Sequence, residues 1–208
     1  MTLAKLFSLL LLIFSVTPIA QAQFFGIGGG RLLPRDLGKG TIGASAVSPH
    51  SEFRGGGLFA LDVGFRRFPY GILGVHYSFA RADLSLERGD ALGSSAKAEV
   101  RLHTVTFDTR LRSPFVSGFR FFGLAGAGIT RFGLDVRREV GTPFPGGAPG
   151  GRTAFVFTYG GGVERHLHQL VHLRVEVRDY RSPIPTQLFR PGGLGGRVAV
   201  IGGITIGL

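Results

Sequence analysis

Val171-His172-Leu173-Arg174-Val175-Glu176-Val177-Arg178 alternates without a break between apolar and ionisable side chains. On a helix, turning about 100° per residue, the four apolar residues would scatter around the circumference. On a strand all four lie on one face and all four ionisable residues on the other. The segment is therefore a strand with one apolar side and one charged side.

Weaker versions of this pattern recur along the chain. Phe59, Leu61, Val63 and Phe65 alternate with Ala60, Asp62, Gly64 and Arg66, and Leu73, Val75, Tyr77 and Phe79 with Gly74, His76, Ser78 and Ala80. Val105, Phe107 and Leu111 alternate with Thr104, Thr106, Asp108 and Arg110, and Phe155, Phe157, Tyr159 and Val163 with Thr158, Gly160, Gly162 and Glu164. Near the C-terminus Val198, Val200, Ile204, Ile206 and Leu208 alternate with Arg197, Ala199, Gly203 and Thr205. Residues 119–136 read as a further strand, with Phe122, Leu124, Phe132 and Leu134 expected on its outer face. A glycine-rich stretch, 24–33, completes a set of eight.

The gaps between the strands add independent information. Those at 33–55, 88–95, 138–152 and 182–195 are longer, and those at 68–71, 113–118 and 166–169 are short. Long and short alternate throughout, as in an up-and-down barrel whose two ends face different environments.

The chain has 208 residues, with 24 Lys and Arg against 13 Asp and Glu, 35 Gly and no Cys. This length suits a single domain. The lack of Cys excludes a disulfide scaffold, a thiol nucleophile and a thiolate metal site. At 44% hydrophobic the chain is not a basic disordered tail. Lys5, the apolar run 6–16, Pro18 and the small-residue pattern Ala20-Gln21-Ala22 read as a signal peptide over residues 1–22. Its apolar core of eleven residues is short of the ~20 needed to span a bilayer. Cleavage after Ala22 would leave 23–208 as the exported domain, with a charge of +10. Export removes the nucleic-acid reading that such a charge would otherwise invite.

Alternation alone does not say which face points outward. The polar-face positions are mostly Gly, Ala, Ser and Thr with a few opposite charges, residues that fit inside a narrow eight-stranded lumen. Only 18% of the chain is charged and only three residues are Lys, which is poor for a water-facing surface. Phe65, Phe68, Tyr70, Tyr77 and Phe79 fall near strand ends, where interfacial girdles sit. The expectation is an all-β, eight-stranded antiparallel up-and-down transmembrane β-barrel with its apolar face outward. The alternative is a soluble exported lipocalin-like carrier with an apolar interior.

The signal ending Ala20-Gln21-Ala22, the eight alternating segments and the final Arg197-Val-Ala-Val-Ile-Gly-Gly-Ile-Thr-Ile-Gly-Leu208 together resemble the small outer-membrane β-barrel proteins of the OmpA/OmpX type. In that family the last strand commonly ends in an aromatic residue and is read by the outer-membrane insertion machinery. Here Leu208 takes the aromatic position and Gly202 interrupts the row. The resemblance implies the Gram-negative outer membrane, periplasmic termini and a structural or surface-interaction role.

Asp62, Arg66, Glu164, Arg174, Glu176 and Arg178 could form an ion-pair network in the lumen, since buried charges need partners. Such a network would fill the barrel, so no open pore is expected. Arg137, Arg138, Arg181 and Arg190 fall at strand ends or in longer loops, where guanidiniums could contact lipopolysaccharide phosphates. His166, His168 and His172 lie around a tight turn and read as solvated histidines rather than metal ligands. Gly26-Ile27-Gly28-Gly29-Gly30 reads as a glycine-rich strand, without the context of a phosphate loop. His76 and Ser78 share a face, with His103 and Asp108 on the next strand, but spacing assembles no nucleophile–base set. No catalytic residue, metal or cofactor is assigned, and a barrel enzyme acting on lipid remains the second alternative.

Overall fold

The computed structural model describes residues 23–33, 35–36, 41–42, 45–46, 52–87, 95–140, 152–183 and 194–207. The signal-peptide reading, Arg190 and Leu208 fall outside these residues. The eight alternating segments are eight long strands: β1 (Phe24–Leu32), β2 (Gly57–Phe68), β3 (Gly71–Glu87), β4 (Ser95–Arg112), β5 (Phe119–Val140), β6 (Arg152–His168), β7 (Val171–Pro183) and β8 (Leu194–Gly207). Each pairs antiparallel with the next, and β8 pairs back with β1. The sheet closes on itself, and closure removes the two edges that an open sheet would expose. Between β1 and β2, two-residue strands at Arg35–Asp36 and Thr41–Ile42 pair with Glu52–Arg54 and Ser45–Ala46, and Glu52–Arg54 also adds to β3. Among the described residues there is no helix long and apolar enough to cross a membrane.

Turn chemistry sets the short end. Pro69-Tyr70 and Gln169-Leu170 are two-residue turns. At the third, Val116 and Phe119 exchange backbone hydrogen bonds of 2.8 and 3.0 Å around Ser117 and Gly118, both at positive φ. Two consecutive positive φ angles make the turn whose twist matches antiparallel strands, and glycine takes the second position without strain. Both ends of the barrel chain, Phe24 and Gly207, pair with each other at this short-turn end.

The register is staggered. Following partners from Phe24 through Gly64, Gly74, Asp108, Gly126, Thr158 and Tyr180 leads to Arg197. Arg197 stands two residues beyond Ala199, the partner of Leu32, so one circuit climbs ten residues along β1. Tilted strands and a fixed stagger are what closing eight strands requires, and the resulting interior is just wide enough for side chains to fill.

The apolar faces point outward. Phe107, Phe121, Ile129, Phe157, Val175 and Val177 are exposed on the barrel exterior, whereas Arg174, Glu176 and Arg178 on β7 are fully buried within it. Aromatic residues cluster toward both rims, with Phe65, Tyr70, Phe119 and Phe121 at the short-turn end and Phe59, Phe155, Phe157 and Tyr159 toward the long loops.

One strand faces opposite to expectation. Phe122 and Leu124 point into the lumen, and Phe121 and Ile129 point out. Phe132 also turns inward, where the Arg197 guanidinium sits 5.0 Å from its ring; the side chain of Leu134 is not described. β5 carries apolar residues on both faces, so alternation is degenerate there. The charge decides instead: Arg120 must reach Glu164 inside, and a register of period two then turns every even-numbered neighbour inward.

Candidate functional site

Among the described residues, a charged network in the lumen draws on six of the eight strands, with Arg197 of β8 inside the barrel apart from it, against Phe132 and Ser182. β2 supplies Asp62, β3 His76, β4 Asp108, Arg110 and Arg112, β5 Arg120, β6 Glu164, and β7 Arg174, Glu176 and Arg178. Each sits on the inner face because its apolar neighbours at the adjoining positions occupy the outer one.

The contacts form two linked groups. Toward the short-turn end, Glu164 receives Arg120 through Nε at 3.0 Å and Nη2 at 2.5 Å, Arg112 at 3.1 Å and Arg110 at 3.8 Å. Above it, Arg174 donates to Asp62, whose other oxygen lies 3.0 Å from His76 Nδ1 and 3.4 Å from Arg110. Glu176 joins the groups, with Arg110 and Arg174 at 3.5 Å and Arg178 at 3.3 Å. Arg178 also donates to Asp108 at 2.5 Å, and Thr158 donates to the same carboxylate at 3.4 Å. Among the described residues, four carboxylates thus meet five guanidiniums. In a low-dielectric interior such charges persist only when paired, and here each carboxylate touches at least one guanidinium.

Asp62, Glu164, Arg174, Glu176 and Arg178, grouped from the sequence, are brought together. The backbone of Arg66 lies beside a bulge between β2 and β3, and its side chain is not described. Asp108, Arg110, Arg112, Arg120, His76 and Tyr180 join them, beyond what the sequence pattern predicts. Asp108 and Arg110 already stood on a polar face in the alternation, which was the available signal. Arg120 was hidden by the reversed facing of β5.

Space for the network comes from absent side chains. A methyl group at Gly126 would collide with the Asp108 carboxylate and with the Phe107 backbone oxygen at 2.6 Å. Gly126→Leu is therefore expected to push Asp108 off Arg178 and to cost about 1–3 kcal/mol, read as a lower midpoint of heat unfolding in detergent.

At the short-turn mouth, Phe115 stacks on His172 at 5.7 Å and meets His166 edge-on at 5.7 Å, with the Arg120 guanidinium 4.3 Å from its ring. His166 and His172 face each other, ring centroids 5.2 Å apart, while a bulge sets His168 opposite Val171. The three histidines do not converge. Asp62, His76 and Asp108 offer oxygen and nitrogen atoms within 4.8 Å of one another. Arg174 and Arg178 already occupy those two carboxylates, so a cation would have to displace guanidiniums.

Among the described residues, neither His76 nor His103 is placed as the base of a hydrolytic set. Both ring nitrogens of His76 are engaged, by Asp62 and by Tyr180 Oη at 3.0 Å each. His103 lies on the outer face, bonded to Tyr77 Oη at 3.0 Å, opposite in facing to Asp108. Of the arginines considered for lipid phosphate, Arg181 is on the exterior, paired to Asp179 at 2.6 Å. Arg137 and Arg138 end β5 with undescribed side chains.

No protein-family model matches the chain, and no curated protein does. Among solved structures it is similar to Neisserial surface protein A, with 12% identity over 89% of this chain and 97% of that one, at a TM-score of 0.54. It is also similar to the outer membrane protein OprG from Pseudomonas aeruginosa, with 13% identity over 90% and 97%, at a TM-score of 0.50. The chain has the fold of these small barrels.

Proposed function

We propose that this barrel is an integral protein of the bacterial outer membrane with a structural or surface-interaction role, neither a pore nor an enzyme. The observation that carries the reading is the inversion of polarity. Aromatic and branched residues cover the outside, while Arg174, Glu176, Arg178 and Glu164 are fully buried inside. A barrel in water would hide the first set and expose the second; hydrocarbon reverses both preferences. A closed sheet also satisfies every ladder hydrogen bond without water. The resemblance to outer-membrane barrels in fold agrees with this location. The fully buried charges Glu164, Arg174, Glu176 and Arg178 argue against an apolar cargo in that part of the lumen, and the engaged nitrogens of His76 argue against catalysis by that residue. The proposed partners are lipopolysaccharide outside and the outer-membrane insertion machinery during biogenesis.

Fractionation of expressing cells tests the location. The protein is expected in the outer membrane, migrating differently before and after boiling, as a closed barrel does when it unfolds. Recovery in the soluble periplasm without detergent would overturn the reading. Reconstituted in planar bilayers, the protein is expected to give no steady ion conductance, since the lumen is blocked from Glu164 to Asp108; stable open channels would refute the filled-lumen reading.

A further inference from the structure

We propose that Arg81, Arg101 and Arg131 form an outward-facing site for the phosphate of a lipid headgroup in the leaflet next to the long loops. Arg81 on β3 is the direct cross-strand partner of Arg101 on β4. Like charges set directly opposite repel, so the pair gathers anionic groups around it, of which Glu99 at 2.9 Å from Arg101 Nε is one. Arg131 on β5 pairs with His103, two residues from Arg101 on the same face, which places it diagonally across from Arg101. All three side chains are exposed on the barrel exterior.

Their height identifies the kind of anion. On each strand the next outward residues toward the short-turn end are Phe79, His103 and Ile129, followed on β3 and β4 by Tyr77, Val105 and Phe107. The arginines therefore stand at the loop-side edge of the apolar exterior. The nearest carboxylates on this face, Asp83 and Glu99, stand opposite each other in register one step further toward the loops. Glu99 engages Arg101 Nε at 2.9 Å from that side. On the belt side the guanidiniums meet His103 and aromatic rings instead. His103 is fixed there by its hydrogen bond to Tyr77 and by Phe79, 4.8 Å away, and Phe79 also carries Arg81 at 5.4 Å. A free phosphate would gain nothing from the apolar surface beneath. A phosphorylated lipid would lay its acyl chains on Phe107 and Ile129 and bring its phosphate up to three guanidiniums, whose planar forks suit phosphate oxygens.

This inference rests on the membrane reading, and its test separates the two. The detergent-folded full chain is titrated with bisphosphorylated lipid A, with the dephosphorylated lipid and with inorganic phosphate, following the heat-unfolding midpoint. Saturable stabilisation by the phosphorylated lipid alone is expected. Arg81→Gln combined with Arg131→Gln should raise the half-saturating concentration at least about tenfold. Arg165→Gln, outward at the opposite rim beside Phe119, should leave it unchanged. Single Arg131→Gln, checked by the mobility of its unheated band, serves if the double variant does not fold. Equal titration of variant and wild type, or an equal shift with inorganic phosphate, would overturn the site while leaving a heat-modifiable membrane barrel intact. A protein that fractionates as soluble would remove the membrane reading itself.

Discussion

Glu164→Gln is expected to lower the unfolding free energy by about 3–5 kcal/mol, among the largest effects of any single substitution in this chain. The change is nearly isosteric, so no cavity contributes. Its cost is electrostatic: Arg110, Arg112 and Arg120 converge on one fully buried carboxylate, and removing its charge leaves three guanidiniums facing one another. The measurement is urea unfolding of the detergent-folded protein, scored by the fraction retaining the mobility of the unheated form. Arg120→Gln added to Glu164→Gln should recover part of the loss, because it removes one of the stranded charges; a strictly additive further loss would show that the pairing is not what stabilises the short-turn end. A Glu164→Gln protein as stable as the wild type would mean that these charges are hydrated rather than buried.

The second large effect comes from the other face. Val177 is outward on β7, between Leu173 toward the short turns and Arg181 toward the long loops. Val177→Arg is expected to cost about 2–4 kcal/mol in a lipid bilayer, the range for a charge near the hydrocarbon midplane of a membrane barrel. Thr153→Arg, level with the loop-side arginines through the pairing of Thr153 with Arg131, should cost about 0–1 kcal/mol. Folding both variants into vesicles and comparing their urea midpoints tests this depth dependence. Equal, small costs at both positions would place the apolar exterior in water and sink the membrane reading. The contrast matters because both residues are exposed, and a purely geometric view of burial predicts no difference between them.

Strand facing shows how far local sequence reaches. In β7 the contrast between Val175 and Glu176 is so strong that one face can be only apolar and the other only charged. In β5 Phe121 and Phe122 compete for the same side on equal terms, and the intrinsic signal vanishes. Arg120 settles the matter by its partner, and that partner lies 44 residues away on another strand. The candidate site divides the same way. Asp62 and Glu164 could be gathered because each is a lone carboxylate on an otherwise small-residue or polar face, and Arg174, Glu176 and Arg178 because they make one face of β7 wholly ionisable. Nothing near Arg112 or Arg120 marks them as lumenal, since each stands beside the turn that joins β4 to β5.

The sequence by itself determined the eight strands, the alternation of short turns with long loops, and the outward placing of the apolar face. The first two follow from period-two patterning and turn-forming residues, properties confined to a few neighbouring positions, and the third from the small residues of the polar face and the low charge of the chain. Only the tertiary structure decided which charge meets which, that Arg81 stands opposite Arg101, and that Arg131 lies diagonal to both strands' basic pair. Those relations depend on register, and register accumulates around the barrel to a climb of ten residues per circuit. A shift of one residue at any of the eight pairings would exchange inside for outside. Side-chain pairing across the lumen is therefore a property of the closed ring, fixed only once all eight strands are in place.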